Sequence, residues 1–137
     1  MPPSLLMGVD LGTSGIKALL LEPEGDVLGL AAKEYPLEMP HAGWAEQNPE
    51  AWYQAAIETM GAALAQAGAS GGEVAAIGFS GQMHGTVCLD NHGRVLRPAI
   101  VWPDQRSQHQ VGRLRREVGD ERLGEWTGNP VATGFML

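Results

Sequence analysis

Positive charge is scarce in this sequence and cysteine is nearly absent. Nine lysines and arginines face 16 aspartates and glutamates across 137 residues, a net charge of −7. Phosphate backbones are held by basic surface, so this balance argues against nucleic acid as a partner, although a nucleotide needs only a local site. The lone Cys88 allows no intrachain disulfide, which points to a reducing cytoplasm. Set in the apolar run Thr86-Val87-Cys88-Leu89, it reads as a buried, inert thiol. No apolar run is long enough to span a bilayer, and Met1-Pro2-Pro3-Ser4 has neither the basic flank nor the apolar core of a secretory leader. His41, His84, His92 and His109 show no close pair spacing and no second cysteine joins them, which argues against a structural metal. Repeats and low-complexity tracts are missing as well. What is left, 44% apolar and 18% charged, suits one globular domain with a core.

The stretch that carries most information is Met7-Gly8-Val9-Asp10-Leu11-Gly12-Thr13-Ser14-Gly15-Ile16-Lys17. An apolar run ends at a carboxylate, turns through Gly12 and Gly15, and returns as a second apolar run. Glycines let backbone N–H groups approach an oxyanion, Thr13 and Ser14 add hydroxyls, and Lys17 adds charge. Asp10 would repel a bare phosphate, so it fits only with a metal ion or a water between them. The set therefore suggests Mg-nucleotide handling. The other reading is a polar β-turn in which Asp10 bonds nearby amides. Spacing alone leaves both open.

Around this hairpin the pattern predicts strands at 5–10, 16–22 and 27–35, with a turn at 23–26. A loop spans 36–48. Asn48-Pro49-Glu50 then opens a helix, with Asn48 as cap and Pro49 at the first helical position. Trp52, Ala56, Met60, Ala63 and Ala67 give that helix an apolar face, and Gly68 ends it. Residues 74–79 read as a strand buried on both faces, 80–85 as a loop and 86–89 as a strand. Asp90-Asn91-His92-Gly93 is a turn, 95–102 holds one or two short strands, 105–118 is a polar helix and 121–126 a helical turn. Three hairpin strands, a helix and a further strand make a mixed α/β plan. It differs from the dinucleotide fold, where a helix follows the first strand.

Outside the hairpin, His84 lies in a glycine-flanked loop after a strand, where open α/β sheets bind ligands, and its imidazole can bond a sugar hydroxyl. Trp102 offers a flat apolar face suited to a sugar ring, or to packing at a strand end. Asp104 and Arg106 read as an ion pair on a surface loop, worth little. Trp44 and Trp52 read as structural, anchoring a loop and a helix.

Gly8-Val9-Asp10-Leu11-Gly12-Thr13-Ser14 followed by Lys17 resembles the first phosphate loop of the FGGY carbohydrate kinases. Gly78-Phe79-Ser80-Gly81-Gln82-Met83-His84-Gly85 and Pro98-Ala99-Ile100-Val101-Trp102-Pro103-Asp104-Gln105-Arg106 look like the sugar-binding segments of their xylulokinase branch, and Gly43-Trp44-Ala45-Glu46-Gln47-Asn48-Pro49-Glu50 fits as well. Glycerol kinases carry an Arg-Glu pair where this chain has Met83-His84. The resemblance covers essentially the whole chain. It implies the N-terminal part of the first lobe of an actin/hexokinase/Hsp70-type ATPase fold (ribonuclease H-like) over residues 1–137, with ATP and Mg²⁺ as cofactors. It implies Asp10, Gly12, Thr13, Ser14 and Lys17 at the Mg-ATP phosphates, with Asp10 on the metal side. Met83 and His84 would contact the sugar, and Trp102 and Asp104 would line or brace its pocket. The implied reaction is phosphorylation of a ketopentose, D-xylulose giving D-xylulose 5-phosphate. The partner is a small sugar, with a homodimer as the remaining candidate, and no nucleic acid or membrane. Pro103 departs from the polar residue usual there, which alters the backbone around Trp102. The family's catalytic aspartate and second lobe lie beyond residue 137, so no aspartate here takes that role. Two rivals stand beside this reading: an actin- or Hsp70-like nucleotide module without sugar chemistry, and an inactive fragment.

Overall fold

The computed structural model describes residues 4–135 and divides into two compact units. The first contains the chain up to Pro36 and Glu50–Gln82; the second contains Leu37–Pro49 and the chain from Met83 onward. Among the described residues no helix is long and apolar enough to cross a membrane.

The first unit is a four-stranded sheet with one helix on it. Strands β1 (Leu5–Leu11), β2 (Gly15–Leu21) and β3 (Val27–Glu34) form an antiparallel meander, and β5 (Val74–Gly81) pairs parallel to β1, giving the order β3-β2-β1-β5. Period-two alternation sorts the side chains. Met7, Val9, Ile16, Ala18, Leu20 and Ala31 are buried on one face under helix α1 (Pro49–Ala67), packed with Ala55 and Ala63. The opposite face carries Gly8, Asp10, Lys17 and Leu19.

Helix α1 begins with Pro49, whose fixed φ suits a first helical position. It ends in a left-handed Gly68 (φ 64°), with Ala69 N–H donating to the Leu64 carbonyl and Gly68 N–H to that of Ala65, the paired closing bonds of a Schellman motif. Its most buried residues are Ala55, Thr59 and Ala63. Of the expected stripe Ala63 is among them, while Trp52, Ala56, Met60 and Ala67 are only partly buried and flank them. Small residues lie at the centre because the helix approaches the sheet closely. A Cβ on Gly29 would sit 2.2 Å from the Ala63 carbonyl oxygen.

Strand β5 departs from the expectation of burial on both faces. Every residue after Val74 is exposed. β5 is the last strand in the sheet order, and the core under α1 draws on β1, β2 and β3 but takes only Val74 from β5. An apolar run signals two covered faces only when both covers are present.

The second unit is built on short pairings. Strand β4 (Glu46–Gln47) runs antiparallel to β6 (Ala99–Ile100) inside what reads from sequence as loop and short strand. The expected strand at 86–89 is reduced to two isolated bridges, Thr86 to Ile100 and Leu89 to Val95. Cys88 is exposed, against the expectation of a buried thiol, because no continuous ladder holds its segment in a core. Helices α2 (Gln108–Glu117) and α3 (Asp120–Thr127) follow, joined at Gly119. Ala45, Ala99, Val101, Leu123 and Val131 are buried in this unit.

Gly29→Ala tests the helix–sheet approach. The added methyl meets backbone rather than a movable side chain, so urea denaturation should show a loss of about 1–3 kcal/mol, the usual cost of overpacking. An unchanged midpoint would contradict the contact.

Candidate functional site

The phosphate-type hairpin lies in the first unit. Register places Asp10 opposite Lys17 on β2, and opposite Ser80 on β5. Lys17 in turn faces Ala32 on β3. The row Ala32, Lys17, Asp10, Ser80 therefore crosses all four strands on the sheet face away from α1. Asp10 and Lys17 are exposed and line an open depression of about 490 Å³ with Gly8, Leu19, Leu30, Gly78 and Ser80.

The turn beyond Asp10 is tight. Gly12 N–H donates to the Gly15 carbonyl at 2.9 Å. A Cβ on Gly15 would fall 2.6 Å from the Lys33 carbonyl oxygen, so only glycine lets the hairpin lie this close to β3. Tyr35 braces the turn from behind. Its hydroxyl donates to the Gly12 carbonyl, and its N–H reaches the Ser14 carbonyl at 3.4 Å. Burial raises the Tyr35 phenol above its ordinary value, and the negative charge of Asp10 raises it further. At the end of β5, Gln82 N–H donates to the Leu11 carbonyl at 2.7 Å. The hairpin is held by backbone and by Tyr35, which leaves the Asp10 and Lys17 side chains outward.

This donor set fits Mg-phosphate in one specific way. Among the described residues no three His, Cys, Asp or Glu side chains are grouped to hold a metal. A single carboxylate can bind Mg²⁺ only together with oxygens from another molecule, and Mg²⁺ characteristically binds through one or two carboxylates plus substrate phosphates.

The sugar-type residues lie in the second unit, around a buried charge network that the sequence reading did not anticipate. The Asp104 carboxylate is 1% exposed. Its Oδ2 accepts from Ala45 N–H at 2.7 Å and from Arg106 Nη2 at 2.7 Å, and its Oδ1 accepts from Arg106 N–H at 2.9 Å. Arg106 also reaches Glu46 at 2.7 Å and lies over the Trp44 ring at 3.7 Å, a cation–π contact. Arg97 pairs with the same Glu46 oxygen. The expected surface ion pair is therefore interior. The reason is pairing of the 43–47 and 99–105 segments: Val101 N–H donates to the Ala45 carbonyl at 3.2 Å and Gln105 N–H to that of Gly43 at 2.7 Å. Trp44 thus anchors its loop as expected, and it does so through Arg106, a partner that the sequence did not reveal.

Burial works to raise the Asp104 carboxyl, but the Arg106 guanidinium and the Ala45 and Arg106 amides outweigh it and hold the group below its ordinary value. Trp102, two residues earlier, is about half exposed, and Met83 is largely exposed. His84 is half-buried and takes φ 64°. Thr86 bridges to Ile100, so the 83–86 and 100–102 segments lie together. The structure thus groups Asp10, Gly12, Thr13, Ser14 and Lys17 on one hairpin of the first unit, and Met83, His84, Trp102 and Asp104 in the second. Sequence reasoning missed Tyr35, Arg97 and the pairing of Glu46. Only Glu46 left a signal, as part of a segment already singled out.

Comparison with known proteins gives this geometry its class. The mixed sheet with an acidic strand end opening into a glycine hairpin matches the N-terminal lobe of sugar kinases with the actin/hexokinase-type ATPase fold. A xylulose kinase structure from Rhodospirillum rubrum superposes with TM-score 0.88 at 34% identity, over 95% of this chain and 27% of that one. A Brucella ovis structure described as a xyloylose kinase gives TM-score 0.81 at 41% identity, over 96% and 27%. The FGGY family of carbohydrate kinases, N-terminal domain, matches residues 5–137, and the chain belongs to that family. The xylulose kinase of Bacillus subtilis (strain 168) is 41% identical over 132 residues, 96% of this chain and 26% of that protein. The chain thus spans about a quarter of the length of such relatives.

Asp104 generates a stability prediction with a sign. A carboxyl lowered in the folded state contributes stability above its ordinary value of 3.8 and loses it as pH falls through the depressed value. Asp104→Ala should cost about 3–5 kcal/mol at pH 7, because Arg106 loses one of its two carboxylate partners and the Ala45 amide its acceptor. The deficit should begin to shrink below about pH 4, where the carboxyl of the unfolded chain takes up its proton, and should go on shrinking as pH falls through the depressed folded value. Urea melts at pH 7 and at pH 3 check both; a deficit that grows on acidification contradicts the assignment.

Proposed function

We propose that this chain is the phosphate-holding and sugar-holding part of an ATP-dependent ketopentose kinase. The parent reaction transfers the γ-phosphoryl of Mg-ATP to a hydroxyl of D-xylulose, giving D-xylulose 5-phosphate and ADP and releasing the hydroxyl proton. The observation that carries this reading is the exposed Asp10–Lys17 pair beside a glycine turn, in a chain 41% identical to a xylulose kinase over 96% of its length. The sugar is assigned from that relative's name and from Met83-His84.

Each residue has a task on this reading. Lys17 offers positive charge to the nucleotide phosphates, and the turn at Gly12 and Gly15 brings backbone close to them with the Thr13 and Ser14 hydroxyls at its tip. Asp10 holds Mg²⁺ or its water shell, and the metal when bound neutralises phosphate charge during transfer. His84 bonds a sugar hydroxyl and Trp102 faces the apolar side of the sugar. Asp104, its oxygens engaged inside the protein, braces Trp102. The base that takes the hydroxyl proton and the lobe that closes over the nucleotide belong to the rest of the parent, so the 137-residue chain alone is inactive. The compartment is the cytoplasm, where ATP is available. A nucleotide module without sugar chemistry is the weaker reading, because it leaves the left-handed His84 without a task.

A chimera tests the proposal. This chain replaces the matching first quarter of the Bacillus subtilis xylulose kinase, and ADP release is coupled to a readout. The 137-residue chain alone should give no D-xylulose-dependent turnover, whereas the chimera should. Asp10→Asn in the chimera should cut turnover at least about 100-fold, the scale of losing a charge-stabilising group, with extra Mg²⁺ restoring part of it. A thermal melt controls for folding. Near-normal turnover of the Asn variant would return Asp10 to a turn-capping role, since asparagine accepts similar bonds.

A further inference from the structure

His84 is the one non-glycine residue with positive φ among the described residues, at 64°. An L-residue held there is strained and persists only where its surroundings over-determine it. What faces it is Phe135. The two rings stack with centroids 3.9 Å apart and planes 4° from parallel.

The segment that delivers Phe135 is anchored at several points within the second unit. Val131 is buried, and its carbonyl accepts from Arg115 Nη2 at 2.8 Å. Thr133 Oγ1 donates to Gln105 Oε1 at 2.8 Å. Gly134, at φ 73°, packs on the Trp102 backbone so closely that a Cβ would lie 2.1 Å from the Trp102 carbonyl oxygen. Residues 133–135 therefore touch the Trp102 segment on one side and His84 on the other.

A ring stack covers one imidazole face and leaves both nitrogens usable, because their hydrogen bonds lie in the ring plane. No hydrogen bond joins the His84 ring to another described residue's side chain or backbone, so Phe135 orients the ring without consuming its polar atoms.

We infer that Phe135 is a positioning residue for sugar recognition: its ring sets the plane of the His84 imidazole, while Gly134 sets the spacing to Trp102. The inference rests on the reading of His84 as a sugar contact. It adds a residue that touches no sugar itself and acts through His84.

The test uses the 137-residue chain, its Phe135→Leu and Phe135→Tyr variants, and D-xylulose as the probe. Proton NMR of the His84 ring should show upfield, ring-current-shifted resonances in the wild type and in Phe135→Tyr, and ordinary positions in Phe135→Leu. Titration with D-xylulose, followed at the same resonances, should give comparable affinities for wild type and Phe135→Tyr. Phe135→Leu should bind about tenfold more weakly, the scale of one misplaced hydrogen bond. Thermal melts separate these effects from unfolding, and the wild-type ring shift tests the stack even if Phe135→Leu does not fold. Equal sugar affinity in wild type and Phe135→Leu would overturn the role of Phe135 and leave His84 in place. Wild-type His84 resonances that ignore D-xylulose would instead overturn the sugar reading, and the positioning role with it. Unshifted wild-type resonances would overturn the stack.

Discussion

A carboxylate taken out of water must find a donor for each oxygen, and the second unit is arranged around one that does. Asp104 satisfies both oxygens with Arg106 and with the Ala45 amide. That bond to Ala45 ties residues 43–47 to residues 99–105, where the ladder is only two residues long on each strand. Desolvation of Asp104 is offset by the Arg106 guanidinium and by the Ala45 and Arg106 amides, and the guanidinium is itself held by Glu46 and Trp44. Removing Asp104 leaves the Ala45 amide without its acceptor and Arg106 with Glu46 alone, which makes this small unit specific about its geometry. Trp102 and the 83–86 segment inherit their positions from that arrangement.

Asp10 is the opposite case. It ends a strand rather than entering a core, and the backbone around it is already bonded through the Gly12–Gly15 turn and Tyr35. One aspartate is interior and spent on structure; the other is exposed beside Lys17. Burial and partners separate the two, although both are aspartates in segments that resemble one family.

The first unit was largely legible in the sequence. The alternation of residues 5–34 and the punctuation at Gly12, Gly15 and Gly25 define a meander, and the structure places β1, β2 and β3 within a residue of the expected bounds at every end. The helix was legible from Pro49 and Gly68, but of its most buried line only Ala63 was. Gly29 admits the helix backbone, and so Ala55, Thr59 and Ala63 lie innermost while Trp52 is only partly buried. That depends on a contact 34 residues apart in sequence, which periodicity does not encode. The misjudged burial of β5 and of Cys88 has a related cause: apolar runs report a propensity to be covered, whereas exposure depends on which neighbours the described residues supply. In the candidate site, the hairpin was legible because glycine and carboxylate spacing is local. The Asp104 network and the Phe135 stack were not, because each joins segments about 50 or more residues apart.

The central claim is that the Asp10 hairpin handles metal-bound nucleotide phosphates, and paramagnetic relaxation tests it without requiring turnover. The ¹⁵N-labelled 137-residue chain is titrated with Mn²⁺ alone and then with Mn²⁺ plus ATP, and amide line broadening is read residue by residue. The account predicts broadening centred on Asp10, Gly12, Thr13, Ser14 and Lys17 that requires ATP, since one carboxylate needs phosphate oxygens to complete a metal site. Broadening with Mn²⁺ alone, or ATP-dependent broadening that spares this hairpin, would contradict it.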